Sequence, residues 1–321
     1  MKRIDVFNGD ADGLCALHQL RLAEPAEAEL VTGLKRDIAL LERVTAAAGD
    51  AVTVLDVSLD KNREALLRLL EGGAAVRYFD HHFPGDIPQH PRLETFIDTA
   101  ADVCTSLLVD RHLNGRFRSW AVAAAFGDNL HASARRAAEP LALAERELEQ
   151  LRELGECLNY NGYGESLDDL HFHPAELYRI VSAYADPFSF VAGEPAFAML
   201  RNGYREDMAR AAGLRPEAET AGGAIYLLPD AQWSRRVSGI FANDLATAHP
   251  HRAHGVLTRR SDGSYTVSVR APLDNPAGAD ELCRSFPTGG GRKGAAGINR
   301  LPSDLLDEFL ARFRAAYPGK A

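Results

Sequence analysis

Short apolar runs alternate with longer helical patterns through the first third of the chain. The strand-like segments read RIDVF, AELVTGL, AVTVLDV and AAVRYFD, and they are rich in β-branched residues. Between them lie helical patterns, as in LCALHQLRLA, in NREALLRLLEGG and in the run that holds Ile38, Leu40, Leu41 and Val44. Strands that alternate with helices of this length predict βαβ units and a parallel sheet.

The pattern changes further along the chain. Residues 119–131 form an apolar segment that ends in Gly-Asp, a helical pattern follows over 135–156, and residues 159–190 have the mixed aromatic and polar character of a helical connector. Beyond residue 222, Ser-Asp-Gly-Ser between two β-rich runs indicates a hairpin, and PSDLLDEFLARFRAAY reads as a final amphipathic helix. We therefore predict an α/β protein with two domains, residues 1–185 with the parallel sheet and residues 186–321 with a linker and a smaller α/β domain.

Composition narrows the class of protein. Of the 321 residues, 46% are hydrophobic and 25% are charged, a globular balance. The chain has no uncharged apolar stretch of about 18 residues, and its opening MKRIDVFNGDADG lacks the apolar core of a secretory leader. We expect a cytoplasmic protein without a membrane partner. Four widely spaced cysteines without a CxxC pair predict buried, reduced thiols rather than disulfides or a zinc site.

The net charge of −9 is unevenly distributed. Residues 1–190 carry a net charge of −12, whereas residues 191–321 carry +3. An acidic chain is poorly suited to coating long duplex nucleic acid, but a local basic pocket would still bind a short phosphorylated ligand.

Acidic and histidine residues follow the predicted strands in order. They are Asp10 and Asp12, then Asp56, then Asp80-His81-His82, and then Asp128. Because the carboxyl ends of parallel strands meet at one edge of a sheet, we expect these side chains to share a site, with Asp10 and Asp12 on the same side as i and i+2 of a strand. Clustered carboxylates repel one another unless a cation neutralises them, and this donor set suits manganese, magnesium or iron.

Each feature also has an ordinary structural explanation. The DxDG sequence is common in turns, Asp56 or Asp128 would serve as a helix cap, and the histidine pair would fit an exposed turn. It is their recurrence at successive strand ends that favours a metal site.

The motifs NGDADG, VLDVS, FDHH and FGDN resemble the four motifs of the DHH phosphoesterase superfamily, and DVCTSLLV resembles the Thr-Ser helix start that follows the third. RAPLDNPAGADELCRSF and GGGRKGAAGI resemble the C-terminal DHH-associated substrate domain. The superfamily includes RecJ-type exonucleases, oligoribonucleases that dephosphorylate 3′-phosphoadenosine 5′-phosphate, cyclic-dinucleotide phosphodiesterases and manganese pyrophosphatases. The resemblance spans nearly the whole chain.

The resemblance implies roles for individual residues. Asp10 would bind one divalent cation and Asp12 a second, with Asp56 bridging the two. His81 and Asp128 would complete the second position, and His82 would lie nearer the substrate phosphate. Two Mn²⁺ ions are expected, with Mg²⁺ or Fe²⁺ as alternatives, and the reaction would be hydrolysis by a metal-activated water with Asp56, His81 and His82 as catalytic residues.

Three positions depart from the family pattern. Val6 stands where many members have a histidine, and Asn8, an additional candidate ligand, stands where RecJ-like members have an aspartate. An amide oxygen coordinates more weakly than a carboxylate, so these changes affect the first metal position. Arg292 stands where the glycine-rich loop usually has a histidine, and its guanidinium still offers a fork for phosphate.

The second domain holds the candidate phosphate-binding residues. They are Arg270, Gly289, Gly290, Gly291, Arg292 and Lys293. Glycines allow backbone N–H groups to approach an anion closely, and a helix start after them would add its dipole. A flexible turn or surface arginines are the alternatives. His171 and His173 form an HxH pair outside the motifs, for which solvated or helix-capping side chains are favoured over a metal site.

The sequence thus predicts a metal-dependent phosphoesterase that acts on small nucleotides or short oligonucleotides, with two domains closing over a cleft. A cyclic-dinucleotide phosphodiesterase is one alternative, and a nucleotide sensor without catalytic activity, with an incomplete first metal position, is another. A homodimer is one candidate assembly.

Overall fold

A computed structural model describes residues 1–318 of the chain. The chain forms two compact units, the first spanning Met1–Asn202 and the second beginning at Gly203. This boundary lies seventeen residues beyond the sequence-based one, inside a helix that runs from Pro195 to Ala212. The predicted α/β class is confirmed.

The first unit is built on a five-stranded parallel sheet with the strand order β2-β1-β3-β4-β5. The strands are β1 (Arg3–Phe7), β2 (Glu29–Val31), β3 (Ala51–Leu55), β4 (Ala75–Asp80) and β5 (Leu93–Ile97). Phe7 pairs with Leu55, and Leu55 pairs with Phe79, so β1, β3 and β4 end at the same level. Whatever follows these three strands therefore lies along one edge of the sheet.

Helices cover the sheet and form the connector. They are α1 (Ala11–Ala23), α2 (Leu59–Glu71), α3 (Thr105–His112), α4 (Arg118–Gly127), α5 (His131–Ala138), α6 (Glu145–Tyr160), α7 (Pro174–Val181), α8 (Pro187–Gly193) and α9 (Pro195–Ala212). The α2 side of the sheet packs through aliphatic residues such as Val54, Leu66 and Leu69. On α1 the first ten residues are all buried, because this helix packs against both α3 and α4.

Three local predictions were wrong. The run around Ile38 contains only a 3-10 turn, Leu40–Arg43, and Ile38 itself is exposed. The pattern over 135–156 is divided between α5 and α6. Asp128 follows the helix α4 rather than a strand, because the alanine-rich segment before it is a strong helix former.

The second unit contains a six-stranded mixed sheet in the order β10-β11-β9-β8-β7-β6. Its elements are β6 (Ala218–Glu219), β7 (Gly223–Leu228), α10 (Gln232–Ala248), β8 (Ala253–Arg259), β9 (Tyr265–Arg270), α11 (Ala279–Arg284), β10 (Gly289–Arg292), β11 (Ala295–Leu301) and α12 (Leu306–Ala316). The predicted hairpin is confirmed as the antiparallel pair β8–β9, and α12 matches the predicted final helix.

Two further features bear on the sequence-based expectations. All four cysteines are buried and free of disulfides, as predicted. Over residues 1–318, no helix has both the length and the apolar character that crossing a membrane requires.

Candidate metal centre

The carboxyl edge of the parallel sheet borders a cavity of about 370 Å³. Its walls come from the segments that follow β1, β3 and β4, together with the loop after β2 and the end of α4. Most of the side chains considered for the site line it, whereas Asp12 and Asp80 are buried and are not among its lining residues. The lining residues among them are Asn8, Asp10, Asp56, His81, His82 and Asp128. The convergence expected from strand topology is therefore present, although Asp128 reaches it from a helix.

Asp10 and Asp12 belong to the start of α1, not to a strand, so the expected strand alternation was wrong. Asp10 is the N-cap, and its Oδ1 accepts hydrogen bonds from the backbone N–H groups of Asp12 (3.0 Å) and Gly13 (3.1 Å). The turn is tight: a Cβ at Gly13 would lie 2.3 Å from the backbone oxygen of Asn8. The DxDG sequence thus ends β1 and begins α1 within a few residues.

Asp12 is fixed by the start of another helix. Its carboxylate accepts hydrogen bonds from the N–H groups of Thr105 and Ser106, both at 2.7 Å, so it stabilises the N-terminus of α3. One of its oxygens also lies within 4.8 Å of ligand atoms of both His81 and Asp128. Burial and the charge of Asp128 raise the pKa of Asp12 above its usual value. Backbone hydrogen bonds therefore hold the Asp12 carboxylate in place, while burial and nearby negative charge oppose its ionisation.

Asp56 follows β3 with a φ of 59°, a left-handed conformation that aspartate tolerates better than most residues. Its Oδ1 accepts a hydrogen bond from the hydroxyl of Thr105 at 3.2 Å and lies 3.3 Å from Nε2 of His81. The pKa of Asp56 lies well above its usual value because the side chain is buried and lies near the charges of Asp12 and Asp10.

His81 has the orientation expected of a metal ligand. Its Nδ1–H donates to the backbone oxygen of Val103 at 3.0 Å, which leaves Nε2 facing Asp56 at 3.3 Å and Asp128 at 3.8 Å. Histidine ligands of metals commonly have a backbone carbonyl behind the second ring nitrogen in this way. Burial by itself would lower the pKa of His81, but its bond to Asp56 and the neighbouring carboxylates raise it to about 10.

His82 is positioned by the residue that precedes the pair. Its Nδ1–H donates to Oδ1 of Asp80 at 2.7 Å, and the fully buried Asp80 also accepts a hydrogen bond from the backbone of Leu59. The His82 ring lies 4.5 Å from that of His81, and its Nδ1 is 3.9 Å from Asp56. Asp80 therefore orients His82, a role that the sequence analysis did not assign to it.

Lys35, in the loop after β2, is the main side chain that the sequence analysis missed. Its Nζ lies 2.6 Å from Oδ2 of Asp10, 3.0 Å from Oδ1 of Asp128 and 3.0 Å from Oδ1 of Asn159. Burial by itself would lower the pKa of Lys35, but the charge of Asp10 outweighs it and holds the pKa well above its usual value. The same charge pairing opposes the effect of burial on Asp10 and lowers its pKa.

The two expected cation positions differ in how well they fit an ion. At the second, Asp12, Asp56, His81 and Asp128 offer carboxylate oxygens and one imidazole nitrogen. The raised pKa values of Asp12 and Asp56 indicate crowded negative charge that a divalent cation would offset. At the first, Asp10 is paired with Lys35, and the amide of Asn8 takes the place of a carboxylate. The donor set fits a divalent ion at the second position and not at the first.

The candidate phosphate-binding residues lie in the second unit. Arg292 at the end of β10 is in register with Ala295 of β11, which is in register with Arg270 at the end of β9. Residues in register across a sheet share a face, so the two arginines lie on one face, two strand spacings apart. GGGRKGAAGI forms the β10–β11 hairpin rather than a loop that leads into a helix, so the expected helix dipole was wrong.

The HxH pair serves local structure. His173 caps α7, with Nδ1 accepting from the backbone of Ala175, and His171 lies 2.9 Å from the hydroxyl of Tyr160. Helix capping was the interpretation favoured by the sequence for such residues.

No family model matches the chain, and no curated protein matches it by sequence. Solved structures share its fold. The exonuclease RecJ bound to manganese aligns with a TM-score of 0.66 at 20% identity, over 98% of this chain and 89% of that chain. RecJ from Thermus thermophilus in complex with Mn²⁺ aligns at 0.62 and 23% identity, over 98% of this chain and 52% of that one. The pGpG-specific phosphodiesterase PggH from Vibrio cholerae aligns at 0.60 and 13% identity, over 98% and 99%. The chain therefore has a RecJ-like fold.

Proposed function

We propose that this protein is a divalent-metal-dependent phosphoesterase that hydrolyses phosphate ester bonds of small nucleotides or short oligonucleotides. One observation carries the proposal: Asp12, Asp56, His81 and Asp128 converge at the carboxyl edge of a RecJ-like sheet. Two proteins with this fold are an exonuclease and a phosphodiesterase, both of which break phosphodiester bonds.

The same four residues would hold the metal ion. Mn²⁺ is the proposed ion, since oxygen and imidazole donors suit it, and Mg²⁺ and Fe²⁺ are alternatives. RecJ from Thermus thermophilus has been solved with Mn²⁺ and with Mg²⁺. When bound, such an ion supplies an activated water at neutral pH and neutralises phosphoryl oxygens.

The residues of the chain prepare the site for that chemistry. The N-terminus of α3 holds Asp12, and the carbonyl of Val103 holds the His81 ring with Nε2 directed at the carboxylates. Asp80 fixes the His82 ring through Nδ1, so the imidazolium form of His82 would direct its Nε2–H at a phosphate oxygen or give that proton to the departing alkoxide. Because these side chains are already held in place, they need little reorganisation when the transition state forms.

The proposed substrate class rests on the likeness to PggH and on the second unit. PggH is a pGpG-specific phosphodiesterase, and the alignment with it covers 98% of this chain and 99% of that one, which supports a dinucleotide or short oligonucleotide as substrate. We assign phosphate binding to Arg270, Arg292 and Lys293 and to the backbone of Gly289, Gly290 and Gly291. Cytoplasmic location and homodimer formation stay predictions from the sequence.

A manganese-supplemented substrate screen tests the proposal. Linear pGpG, short oligoribonucleotides, 3′-phosphoadenosine 5′-phosphate and cyclic dinucleotides would be assayed side by side with the full chain. We expect Mn²⁺-dependent release of mononucleotide or phosphate from at least one of the linear substrates, and loss of that activity in Asp12→Ala and His81→Ala. Asp86→Ala, at an exposed position outside the cavity, is the matched control and should retain full activity.

A nucleotide sensor without catalytic activity is the second candidate, and Lys35 within the carboxylate cluster is the observation that favours it. A sensor would bind one of these nucleotides, measured by calorimetry, and leave it intact during prolonged incubation with Mn²⁺. Cyclic-dinucleotide hydrolysis, the remaining alternative, would appear in the same screen as a preference for the cyclic substrate.

A further inference from the structure

The ammonium group of Lys35 binds Asp10, the side chain that the motifs predict to hold the first metal ion. Three oxygens surround the ammonium group at 2.6–3.0 Å, from Asp10, Asp128 and Asn159. The Lys35 side chain is only 28% exposed, and the ring centroid of Tyr163 lies 5.7 Å from Nζ. The ammonium therefore has the surroundings of a built cation site, with two carboxylates, an amide oxygen and an aromatic ring.

The backbone that carries Lys35 is fixed on both sides. Its N–H donates to the backbone oxygen of Gly162 at 2.9 Å, and its carbonyl accepts from Nδ2 of Asn8 at 3.3 Å. The two loops touch because Gly9 has no side chain: a Cβ there would lie 2.0 Å from the backbone oxygen of Gly33. Lys35 thus reaches the cluster from a backbone anchored to the β1–α1 turn, unlike a surface lysine on a free loop.

The remaining donors near Asp10 are weak ones. The amide nitrogen of Asn8 is used by the Lys35 carbonyl, and its Oδ1 is buried without a hydrogen-bond partner. Val6 is fully buried in the apolar core. The carboxylates expected at the first position are Asp10 and the bridging Asp56. Of these, Asp10 already binds the ammonium group, and Asn8 offers only an amide oxygen beside it.

We propose that Lys35 permanently replaces the first divalent ion, so that the chain binds a single divalent ion, at the position formed by Asp12, Asp56, His81 and Asp128. This inference rests on the proposed metal-dependent function. An ion bound to Oδ2 of Asp10 would come into contact with Nζ of Lys35, which lies 2.6 Å from the same oxygen, so the ammonium group and an ion cannot both occupy this position. The positive charge at the first position then belongs to a side chain, which, unlike a bound metal ion, cannot leave the protein and exchange with ions in solution.

Metal stoichiometry tests this inference independently of activity. The full chain would be stripped with chelator, loaded with Mn²⁺, and examined by equilibrium dialysis with elemental analysis and by electron paramagnetic resonance. We expect one Mn²⁺ per chain, with the hyperfine pattern of an isolated ion. Lys35→Met combined with Asn8→Asp removes the ammonium and restores a carboxylate, and it should bind two ions with an exchange-coupled spectrum.

Lys61→Met is the matched control. Lys61 lines the same cavity, but its side chain is 60% exposed and its Nζ lies 3.4 Å from the carboxylate of Asp60. This variant should bind one ion, like the wild type.

The outcomes separate the two proposals. A coupled pair of ions in the wild type would overturn the replacement by Lys35, as would a single ion in the Lys35→Met, Asn8→Asp variant. No bound ion in the wild type would instead contradict the metal-dependent function. Where the double variant does not fold, the wild-type spectrum alone decides, because it distinguishes an isolated ion from a coupled pair.

Discussion

Asp12 and Asp128 are both candidate ligands, yet their replacement by asparagine should affect the metal-free protein very differently. Asp12 accepts two backbone hydrogen bonds at 2.7 Å from the start of α3, whereas Asp128 lies at the end of α4, paired with Lys35 at 3.0 Å. We predict that Asp12→Asn destabilises the metal-free protein by about 2 kcal/mol and that Asp128→Asn changes its stability by less than about 1 kcal/mol.

The magnitude for Asp12 follows from opposing contributions. Two hydrogen bonds to a charged acceptor contribute about 3–6 kcal/mol, and an asparagine retains only one acceptor oxygen for them. Against this, oxygens of Asp12 and Asp128 lie within 4.8 Å, where two like charges repel by about 3 kcal/mol at an effective dielectric constant of about 20. The amide nitrogen of asparagine would also face a backbone N–H of α3, and the attraction to protonated His81 would be lost. Together with the lost hydrogen bond, these costs outweigh the relief of repulsion.

For Asp128→Asn the contributions nearly cancel. The same repulsion of about 3 kcal/mol is removed, and an ion pair of similar size is lost. Lys35 keeps its pairing with Asp10 at 2.6 Å, and the Asp128 side chain is 18% exposed, which weakens the lost pair.

Thermal unfolding followed by circular dichroism, in chelator and in Mn²⁺, measures both effects. A free Mn²⁺ concentration of about a hundred times Kd raises the free energy of unfolding by about 2.7 kcal/mol. In a unit of this size, that raises Tm by about 5–10 °C. The wild type should show this rise, and both variants should lose most of it. Asp12→Asn melting no lower than Asp128→Asn in chelator would refute the capping argument, and an undiminished rise in either variant would refute its role as a ligand.

Three further predictions concern substrate binding, pH and the β1–α1 turn. Arg292→Ala should raise KM for the preferred nucleotide about tenfold with little change in kcat or in Mn²⁺ binding, and an unchanged KM would remove Arg292 from the phosphate site. Burial lowers the pKa of His18 in the folded protein to about 4, so between pH 6.5 and 4 the unfolded state binds more protons than the folded state. The free energy of unfolding should therefore fall by about 3 kcal/mol over this range. Denaturant titrations measure this dependence, and His18→Gln should flatten it. Gly13→Ala places a Cβ 2.3 Å from the backbone of Asn8, so it should abolish Mn²⁺ binding and lower Tm by several degrees, whereas Gly193→Ala, in open space, should do neither.

The parallel sheet and most of the site were predictable because strand periodicity, strand order and aligned strand ends are local or topological properties. β1, β3 and β4 end in register, so Asn8, Asp56 and Asp80 lie along one edge whatever the side-chain details. Asp128 was correctly expected to lie beside the other acidic residues, but it was expected to follow a strand, whereas it follows the helix α4. A short apolar run such as AVAAAFG does not distinguish a buried strand from a buried helix by its pattern alone.

Lys35 could not be predicted in the same way. It lies in an ordinary polar loop, TGLKRD, and no spacing connects it with Asp128, 93 residues away. Its position depends on how closely the loop after β2 approaches the β1–α1 turn, which is a tertiary property. The only trace in the sequence was indirect, in Val6 and Asn8, where weaker donors replace the family's metal ligands.

Hydrolysis in ¹⁸O-labelled water tests the central claim most directly. The full chain would be incubated with pGpG and Mn²⁺, with a parallel reaction in chelator, and the products analysed by mass spectrometry. The proposed function predicts Mn²⁺-dependent cleavage in which each broken ester places one ¹⁸O atom on the product phosphate, because the attacking group is water. Intact pGpG after prolonged incubation with a chain that binds both Mn²⁺ and the nucleotide would contradict it and would identify a sensor instead.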